Sequence, residues 1–586
     1  MGATPHASGV SFRLWAPHAK GVSVIGSFNG WDGTAHPLRA EANGCWRADV
    51  AEARVGDQYK FLLSTEQGDL HRIDPYARAV TGSVGNAIVH DTAFDWGEDT
   101  FRMPSWNELV IYELHVGTFH DRDEVPDSGQ FPSVGAQLDH LVRIGVNAIQ
   151  IMPVASFAGD RSWGYNPSHI FSVETTYGGP RALKEFVKRA HAAGIAVVLD
   201  VVYNHLGPSD LDLWQFDGWS ENGRGGIYFY NDDRAHTPWG ETRPDYRREE
   251  VRRYILDNVR MWFEEYRVDG LRFDSTHFIR SVRGIGVHNL PEGWSLLQSI
   301  NDLATTSFPG RITIAEDLQD NPGITRRVGA GGAGFGAQWD PTFVHPVRIA
   351  VTTWEDADRS LADVRKALCH RHNDDPFTRV IYSESHDEVS NQRARVPQEI
   401  SPDDPKGWDA RKRSTLAAAM VFTAPGIPML FQGQEFLEGG TFRDSVPVDW
   451  DQREEFRGIV RLYRDLIRLR LNRSGRTRGL CGRHIAVHHL HQDHKILGFH
   501  RWDRGGPGDD VVVVANFSRD TQEDHRIGFP AAGRWTLRFN SDWQGYNDDF
   551  ENHPSADVVA ESGPSDGCPW HAEITIGRYS VLIYSQ

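Results

Sequence analysis

The stretch VDGLRFDSTHF, residues 268 to 278, places a cation and a carboxylate two positions apart in a largely apolar segment. Side chains of a β-strand alternate between its two faces, so Arg272 and Asp274 share one face. A buried ion pair is weak evidence for stability, because the desolvation cost offsets most of the attraction. The pair is therefore either a structural contact at the end of a sheet or a carboxylate that a guanidinium keeps ionised for nucleophilic attack.

Three other predicted strands end in residues of the same kinds. A lone carboxylate at a strand end is often only a helix cap, but four ends that all supply carboxylate, histidine or arginine indicate one shared site. The sequence has no phosphate-binding glycine loop at a first βα turn, which would indicate a different chemistry. The residues are Asp200, Asn204 and His205 at the third strand, Arg272, Asp274 and His277 at the fourth, Glu316 at the fifth, and His386 and Asp387 at the seventh.

Carboxylates that converge on one cleft indicate glycoside chemistry. One ionised carboxylate attacks the anomeric carbon, and a second, protonated carboxyl donates its proton to the leaving oxygen. In this interpretation Arg272 holds Asp274 ionised. Glu316 lies near other carboxylates, and we expect its pKa to be raised so that it serves first as acid and then as base.

The elements that position these residues form a repeating pattern in the middle of the chain. Short apolar segments alternate with amphipathic helical ones, which predicts a parallel sheet covered by helices. Eight such units predict a (β/α)₈ barrel, and a long insertion at about residues 206–247 is typical of a loop that shapes a binding site. The strands are predicted to begin near residues 109, 147, 195, 270, 311, 334, 378 and 427.

The barrel is flanked by regions of short strands and turns on both sides. We predict an N-terminal β-sandwich over residues 1–100 that resembles a carbohydrate-binding module, the barrel over 101–475, and a C-terminal β-sandwich over 476–586. A chain of 586 residues exceeds the size of a single hydrophobic core, so several domains are expected.

Composition excludes several classes of partner. The formal net charge of −18 argues against nucleic acid or an anionic membrane surface, and no apolar run is long enough to span a bilayer. The four cysteines are far apart and form no CxxC pair, so neither a zinc site nor a redox site is indicated. We expect a cytoplasmic enzyme with a neutral substrate and no cofactor, and we assign no metal site from the sequence.

Four segments in order, DVVYNH, GLRFD, IAED and SHDE, resemble the signature regions of the α-amylase superfamily of glycoside hydrolases and transglycosylases. The resemblance covers essentially the whole chain. It implies an α-glucan substrate, such as glycogen, starch or a maltooligosaccharide, and retention at an α-linkage. It also implies that Asp274 is the nucleophile, Glu316 the general acid/base, and Asp387 a third carboxylate that grips sugar hydroxyls and favours a distorted ring.

The same resemblance implies a set of residues that bind the sugar at the cleavage point. Tyr165, in WGYNP, is expected to stack on that sugar, and His205 and His386 to bind its hydroxyls. Arg272 is expected to contact the nucleophile, and Asp200 is expected to support the nucleophile structurally. The full set of expected substrate-binding residues is Tyr165, Asp200, His205, Arg272, His277 and His386.

Within the superfamily the motifs divide between two subfamilies. The FNGWDG stretch, DPYAR, YELHVGTF and PGIPMLFQGQEF are similar to glycogen branching enzymes. YGGP and VDGLRFDSTH are similar to malto-oligosyltrehalose trehalohydrolases, and branching enzymes usually carry a small residue where His277 stands. We favour a 1,4-α-glucan branching enzyme. A trehalohydrolase or an amylase-like hydrolase is the alternative, and a non-catalytic glucan-binding barrel is a remote one.

Overall fold

The computed structural model describes residues 1–122, 124, 127–286 and 289–586. Its N-terminal region consists of two small antiparallel sheets, ordered β1-β2-β5-β4 and β3-β6-β9-β8, with β7 paired to β6. Alternating apolar residues such as Phe12, Tyr59 and Phe61 are buried between them. The strands are β1 Gly2–His6, β2 Gly9–Trp15, β3 Gly21–Gly26, β4 Arg39–Ala40, β5 Cys45–Val50, β6 Gln58–Thr65, β7 Gly68–Arg72, β8 Ala79–Val80 and β9 Ala87–Ile88.

Eight parallel strands close into a barrel, which confirms the predicted fold class. Every residue of these strands is buried, because the barrel interior packs against one face and the helices cover the other. The predicted starting points lie within a few residues of the observed ones. The barrel strands are β10 Ile111–Leu114, β11 Ala148–Ile151, β14 Ala196–Val201, β15 Gly270–Phe273, β16 Ile312–Ala315, β17 Ala337–Trp339, β18 Arg379–Ile381 and β19 Ile427–Phe431.

Helices alternate with the barrel strands, and several of them bury one apolar stripe. In α5 the residues Val251, Ile255, Val259 and Trp262 recur at helical spacing, and all four are buried. The helices are α1 Val116–Phe119, α2 Phe131–Gly135, α3 Leu138–Ile144, α4 Gly179–Ala192, α5 Glu249–Glu264, α6 Thr276–Arg280, α7 Pro291–Ser307, α8 Pro341–Thr352, α9 Leu361–Cys369, α10 Val396–Ile400, α11 Trp408–Thr423, α12 Gln452–Glu455 and α13 Arg457–Arg470. In the described part of the chain, no helix has the length and apolar character of a membrane span.

Two long connections leave the barrel at the carboxyl ends of its strands. After β11 the chain forms an antiparallel pair, β12 Ala155–Phe157 and β13 Pro167–Val173. Between β14 and α5 it makes the predicted insertion, with a 3-10 turn at Asp233–Ala235. The hydroxyl of Tyr246 donates to the carbonyl oxygen of Tyr203 at 2.7 Å and so ties the end of this insertion back to the strand end that it leaves.

The C-terminal region is all-β, as predicted. Its strands pair antiparallel in the order β20-β21-β22-β27-β24-β25-β26-β23 around a core that contains Trp535. The buried amine of Lys412 on α11 lies 2.5 Å from Asp542, which joins this region to the barrel. The strands are β20 His484–His491, β21 Ile496–Trp502, β22 Val511–Asn516, β23 Gln522–Phe529, β24 Gly533–Asn540, β25 Val558–Ser565, β26 Cys568–Ile576 and β27 Val581–Ser585.

Candidate active site

The register of the barrel strands brings the predicted site residues together. Asp200 on β14 is the register partner of Arg272 on β15, and Arg272 is the partner of Ile314 on β16, two residues before Glu316. Parallel strands in this register end at one rim, so the polar residues at their carboxyl ends face a common space.

Arg272 is the centre of this cluster. Its side chain is fully buried, and it contacts three carboxylates. Nη1 lies 2.6 Å from Asp200 Oδ2 and 3.4 Å from Asp274 Oδ1, while Nη2 lies 2.8 Å from Glu316 Oε2. The ring of Trp339 faces the guanidinium, with its centroid 4.2 Å away. The Arg272 and Asp274 pair that the sequence suggests is therefore part of a larger array of one cation and three carboxylates.

The turn after β15 helps to fix Asp274 and Glu316 relative to each other. Asn204 Nδ2 donates to Asp274 Oδ2 at 3.0 Å. Ser275 adopts a left-handed backbone conformation with φ 40°, and its backbone N–H donates to Glu316 Oε2 at 2.9 Å. Asp274 and Glu316 are both buried, with 7% and 4% of their surfaces exposed. Each carboxylate is thus held by its own amide donor as well as by the shared Arg272 guanidinium.

The protonation order of this pair differs from the sequence-based expectation. Burial, and then the charge of Glu316, raise the pKa of Asp274 well above its ordinary value despite the Arg272 guanidinium. Burial opposes ionisation of Glu316 as well, but Arg272 and the Ser275 N–H hold its pKa below the ordinary value. The expectation that Arg272 keeps Asp274 ionised while Glu316 is raised is wrong for the substrate-free geometry. The reason is that the guanidinium lies closer to Glu316 than to Asp274.

The seventh strand end supplies the third carboxylate beside a charged histidine. His386 Nδ1–H donates to Glu113 Oε1 at 2.7 Å, its backbone N–H donates to Glu113 Oε2 at 3.0 Å, and its Nε2 lies 3.4 Å from Asp387 Oδ2. Burial disfavours the charged ring, but Asp387 and then Glu113 raise the pKa of His386 to about 9. His386 is therefore an imidazolium at neutral pH.

Tyr165 connects the third and seventh strand ends. Its hydroxyl donates to Asp200 Oδ2 at 2.7 Å, and its ring stacks on His386 with the centroids 5.1 Å apart. His205 Nε2–H donates to the Tyr165 carbonyl oxygen at 2.8 Å, and Trp239 of the insertion stacks on the His205 ring at 4.5 Å. Burial raises the pKa of Asp200 to about 6 and lowers that of His205 to about 4, so His205 is neutral.

These residues surround a cavity of about 660 Å³. Three of the nine predicted residues, Asp200, His205 and Arg272, lie behind its wall and hold the residues in front of them. The predicted residues that line it are Tyr165, Asp274, His277, Glu316, His386 and Asp387, together with Ser162, Trp163, Asn166, Trp239, Ser275, Phe278, Leu318, Asn391 and Asp444.

Sequence reasoning missed three residues that complete the site. Glu113 holds His386, Trp339 faces the Arg272 guanidinium, and Trp239 lies on the pocket wall. Glu113 carries a signal that could have found it, since it is a carboxylate in the middle of the apolar strand LVIYELHV. The sequence gives no such signal for Trp339, because a tryptophan in a barrel strand is ordinarily a core residue.

A closed parallel barrel with carboxylates at the carboxyl ends of its strands is the architecture of a TIM-barrel enzyme. Comparison with known families narrows this class. The family described as "Alpha amylase, catalytic domain" matches residues 113–217 and 214–461. "Carbohydrate-binding module 48 (Isoamylase N-terminal domain)" matches residues 1–77, and "Alpha amylase, C-terminal all-beta domain" matches 487–586. The chain belongs to the α-amylase family, as its motifs predict.

Full-length relatives and solved structures agree with this assignment. A 1,4-alpha-glucan branching enzyme of Nitrosomonas europaea is 30% identical over 98% of this chain and 80% of its own length. Its counterpart from Corynebacterium jeikeium is 29% identical over 99% of this chain and 83% of its own. A type I pullulanase of Bacillus subtilis, solved with maltose, shares the fold with a TM-score of 0.78 at 22% identity, over 100% of this chain and 85% of that one.

Proposed function

We propose that the protein is a 1,4-α-glucan branching enzyme, which cleaves α-1,4 links and forms α-1,6 branches. The observation that carries the chemistry is the array in which Arg272 contacts both Asp274 and Glu316 at the wall of an open cavity. The observation that favours branching is the similarity over almost the whole chain to proteins named branching enzymes. The N-terminal match to a carbohydrate-binding module supports an α-glucan substrate.

In the first half-reaction Asp274 is the nucleophile. Its carboxylate oxygen forms a bond to the anomeric carbon while the glycosidic C–O bond breaks, and Glu316 gives its proton to the departing oxygen. The donor chain is then held as an ester on Asp274, and the shortened glucan leaves with a new hydroxyl group. This step needs the proton on Glu316 and the charge on Asp274.

Without substrate Asp274 has the raised pKa and Glu316 the lowered one, so substrate binding must favour the proton on Glu316 instead. Because the two carboxyls interact strongly, they titrate as a pair, and one proton is available to both. A glycosidic oxygen beside Glu316 can accept a hydrogen bond only from the protonated form, so it draws the proton to Glu316. The Arg272 guanidinium, which already contacts Asp274, then stabilises the charge that remains there.

In the second half-reaction an acceptor hydroxyl replaces the first glucan. Glu316, now ionised, takes the proton of a glucan 6-hydroxyl, and that oxygen attacks the anomeric carbon and releases Asp274. Two displacements at one carbon retain the α-configuration. Water in place of the hydroxyl would give hydrolysis, so the identity of the acceptor decides between transfer and hydrolysis.

The other wall residues bind and orient the sugar. We assign Asp387 to two ring hydroxyls, with the imidazolium of His386 as a charged hydrogen-bond donor beside it. Tyr165 provides an aromatic face for the sugar ring, and Asp200 fixes its hydroxyl. His277 lines the same wall and is assigned as a further hydroxyl ligand.

The deciding experiment follows the products formed from amylose. A branching enzyme lowers the iodine stain, creates no new reducing ends and produces chains that a debranching enzyme can release. The matched control is Asp274→Asn, which keeps the shape of the side chain but removes the charge that attacks. New reducing ends in proportion to the loss of stain would show hydrolysis and would contradict the proposal.

A trehalohydrolase is the second candidate, because a histidine rather than a small residue lines the pocket at position 277. It predicts release of free trehalose from maltooligosyl trehalose and no branches from amylose. The same protein preparation can be offered both substrates, and the two product patterns are mutually exclusive.

A further inference from the structure

A group of metal-ligand side chains lies outside the pocket, where two loops of the barrel meet. Asp320 belongs to the loop after β16, and His370 and His372 follow α9. One ligand atom from each of the three residues lies within 4.8 Å of the other two. We propose that Asp320, His370 and His372 bind one divalent transition-metal cation, with Zn²⁺ as the best match to two imidazoles and one carboxylate.

Two distances within the group fit a tetrahedral cation. Zinc bonds of about 2.0–2.2 Å at tetrahedral angles separate two ligand atoms by roughly 3.3–3.5 Å. Asp320 Oδ1 lies 3.0 Å from His370 Nε2 and 3.4 Å from His372 Nδ1. Both of these distances lie within a few tenths of an ångström of that separation. Water would fill the fourth position on the exposed side of Asp320.

The histidine nitrogens of this group have few partners among the described residues. Within the described residues, Asp320 forms ion pairs with these two histidines and with no lysine or arginine. His370 Nε2 is buried and makes no hydrogen bond to any described residue, although it stands 3.0 Å from the carboxylate. A buried polar atom without a hydrogen bond calls for a partner, and a cation between this ring nitrogen and the carboxylate would supply one.

A second group of similar composition shows the contrast. Asp542, Glu551 and His553 also lie within 4.8 Å of one another. There, however, Lys412 Nζ lies 2.5 Å from Asp542, and Arg578 pairs with Glu551. The cations of the protein already neutralise these carboxylates, so a metal ion would compete with them. The group at Asp320 has no such competitor among the described residues.

The loops that carry the ligands are already tied together. Asn373 Nδ2 donates to the Pro322 carbonyl oxygen at 2.7 Å and to Thr325 Oγ1 at 2.9 Å. The site is therefore largely formed before a cation binds. Leu318, two residues before Asp320, lines the candidate active site, so a bound cation would steady one edge of that pocket.

The test uses the untagged full-length protein, treated with a chelator and dialysed. Titration with Zn²⁺ should show one equivalent bound, a rise of a few degrees in the Tm, and with Co²⁺ the visible absorption of a tetrahedral site. Asp320→Asn and His372→Gln should each lose that equivalent and both spectroscopic and thermal effects. Asp320 is exposed, so its variant should fold even if His372→Gln does not.

The matched control is His494→Gln, which removes an exposed histidine from the C-terminal region, where several other histidines lie together. It should bind Zn²⁺ as the wild type does. The proposal is overturned if the wild type binds no stoichiometric Zn²⁺, if Asp320→Asn binds as much as the wild type, or if only His494→Gln loses the bound metal.

Discussion

The substitution Arg272→Met leaves three buried carboxylates, Asp200, Asp274 and Glu316, without the guanidinium that contacts them at 2.6, 3.4 and 2.8 Å. At an effective dielectric constant of about 20, each contact corresponds to roughly 5–6 kcal/mol of attraction, most of which offsets the cost of burying the charges. Removing one partner of a buried ion pair typically costs about 3–5 kcal/mol of unfolding free energy. We expect a loss at the upper end of that range, because three carboxylates lose one cation.

The destabilisation should depend on pH in a defined direction. Without Arg272 the folded-state pKa values of these carboxyls rise above their unfolded values, so the folded state binds more protons and stability falls as pH increases. In the wild type, burial already holds the pKa of Asp274 well above its ordinary value. Up to about two further protons are therefore taken up, and the gap between wild type and variant widens by as much as about 2.7 kcal/mol per pH unit.

The assay is thermal and urea unfolding of the barrel transition at pH values between about 5 and 8. The matched control is Arg379→Met, because Arg379 is equally buried but contacts one carboxylate, Asp340, at 2.9 Å. Its slope with pH should be no more than half that of Arg272→Met. Equal losses at low and high pH, or a loss for Arg272→Met no larger than for the control, would refute the three-carboxylate interpretation.

Three further predictions address single residues. Glu316→Gln should lower kcat on glucans by about 10²–10⁴-fold, because it removes the group that transfers the proton; a rate near wild type would exclude Glu316 as the acid. Glu113→Gln should lower the pKa of His386 from about 9, so the alkaline fall in kcat/KM should move to lower pH. The stability that the charged ring contributes is fully present below about pH 6.5 and is lost as pH rises through the folded-state pKa, so this loss should also move to lower pH. An unchanged pH profile would contradict the prediction. Trp239→Ala should raise KM by up to about tenfold with a smaller effect on kcat, because the pocket loses an aromatic contact and His205 loses the ring stacked on it. A selective fall in kcat would argue against a binding role for Trp239.

Much of the fold could be predicted because the barrel strands are nearly continuous apolar runs. The fourth and eighth strands begin at the predicted residues Gly270 and Ile427, whereas the sixth begins at Ala337, three residues late, because the glycine-rich loop before it has no marked boundary. The domain limits and the expected cytoplasmic location stay predictions.

The part of the site that could be predicted consists of the residues that directly follow barrel strands. Asp274, Glu316 and Asp387 each follow a barrel strand, and the closure of the barrel brings them to one cavity. The partner of His386 could not be predicted, since Glu113 comes from the opposite end of the barrel sequence. The order of protonation could not be predicted either, because it depends on which carboxylate lies closer to Arg272 by less than an ångström.

The most direct measurement is to trap the reaction half-way. A fluorinated α-glucosyl fluoride slows the breakdown of a glycosyl-enzyme ester, and mass spectrometry of the digested protein locates the sugar. We expect one glucosyl group per chain, esterified to the peptide that contains Asp274, and no label in Asp274→Asn. A sugar attached to Asp387 or Glu316, or turnover without any labelled peptide, would contradict the assignment of Asp274 as the nucleophile.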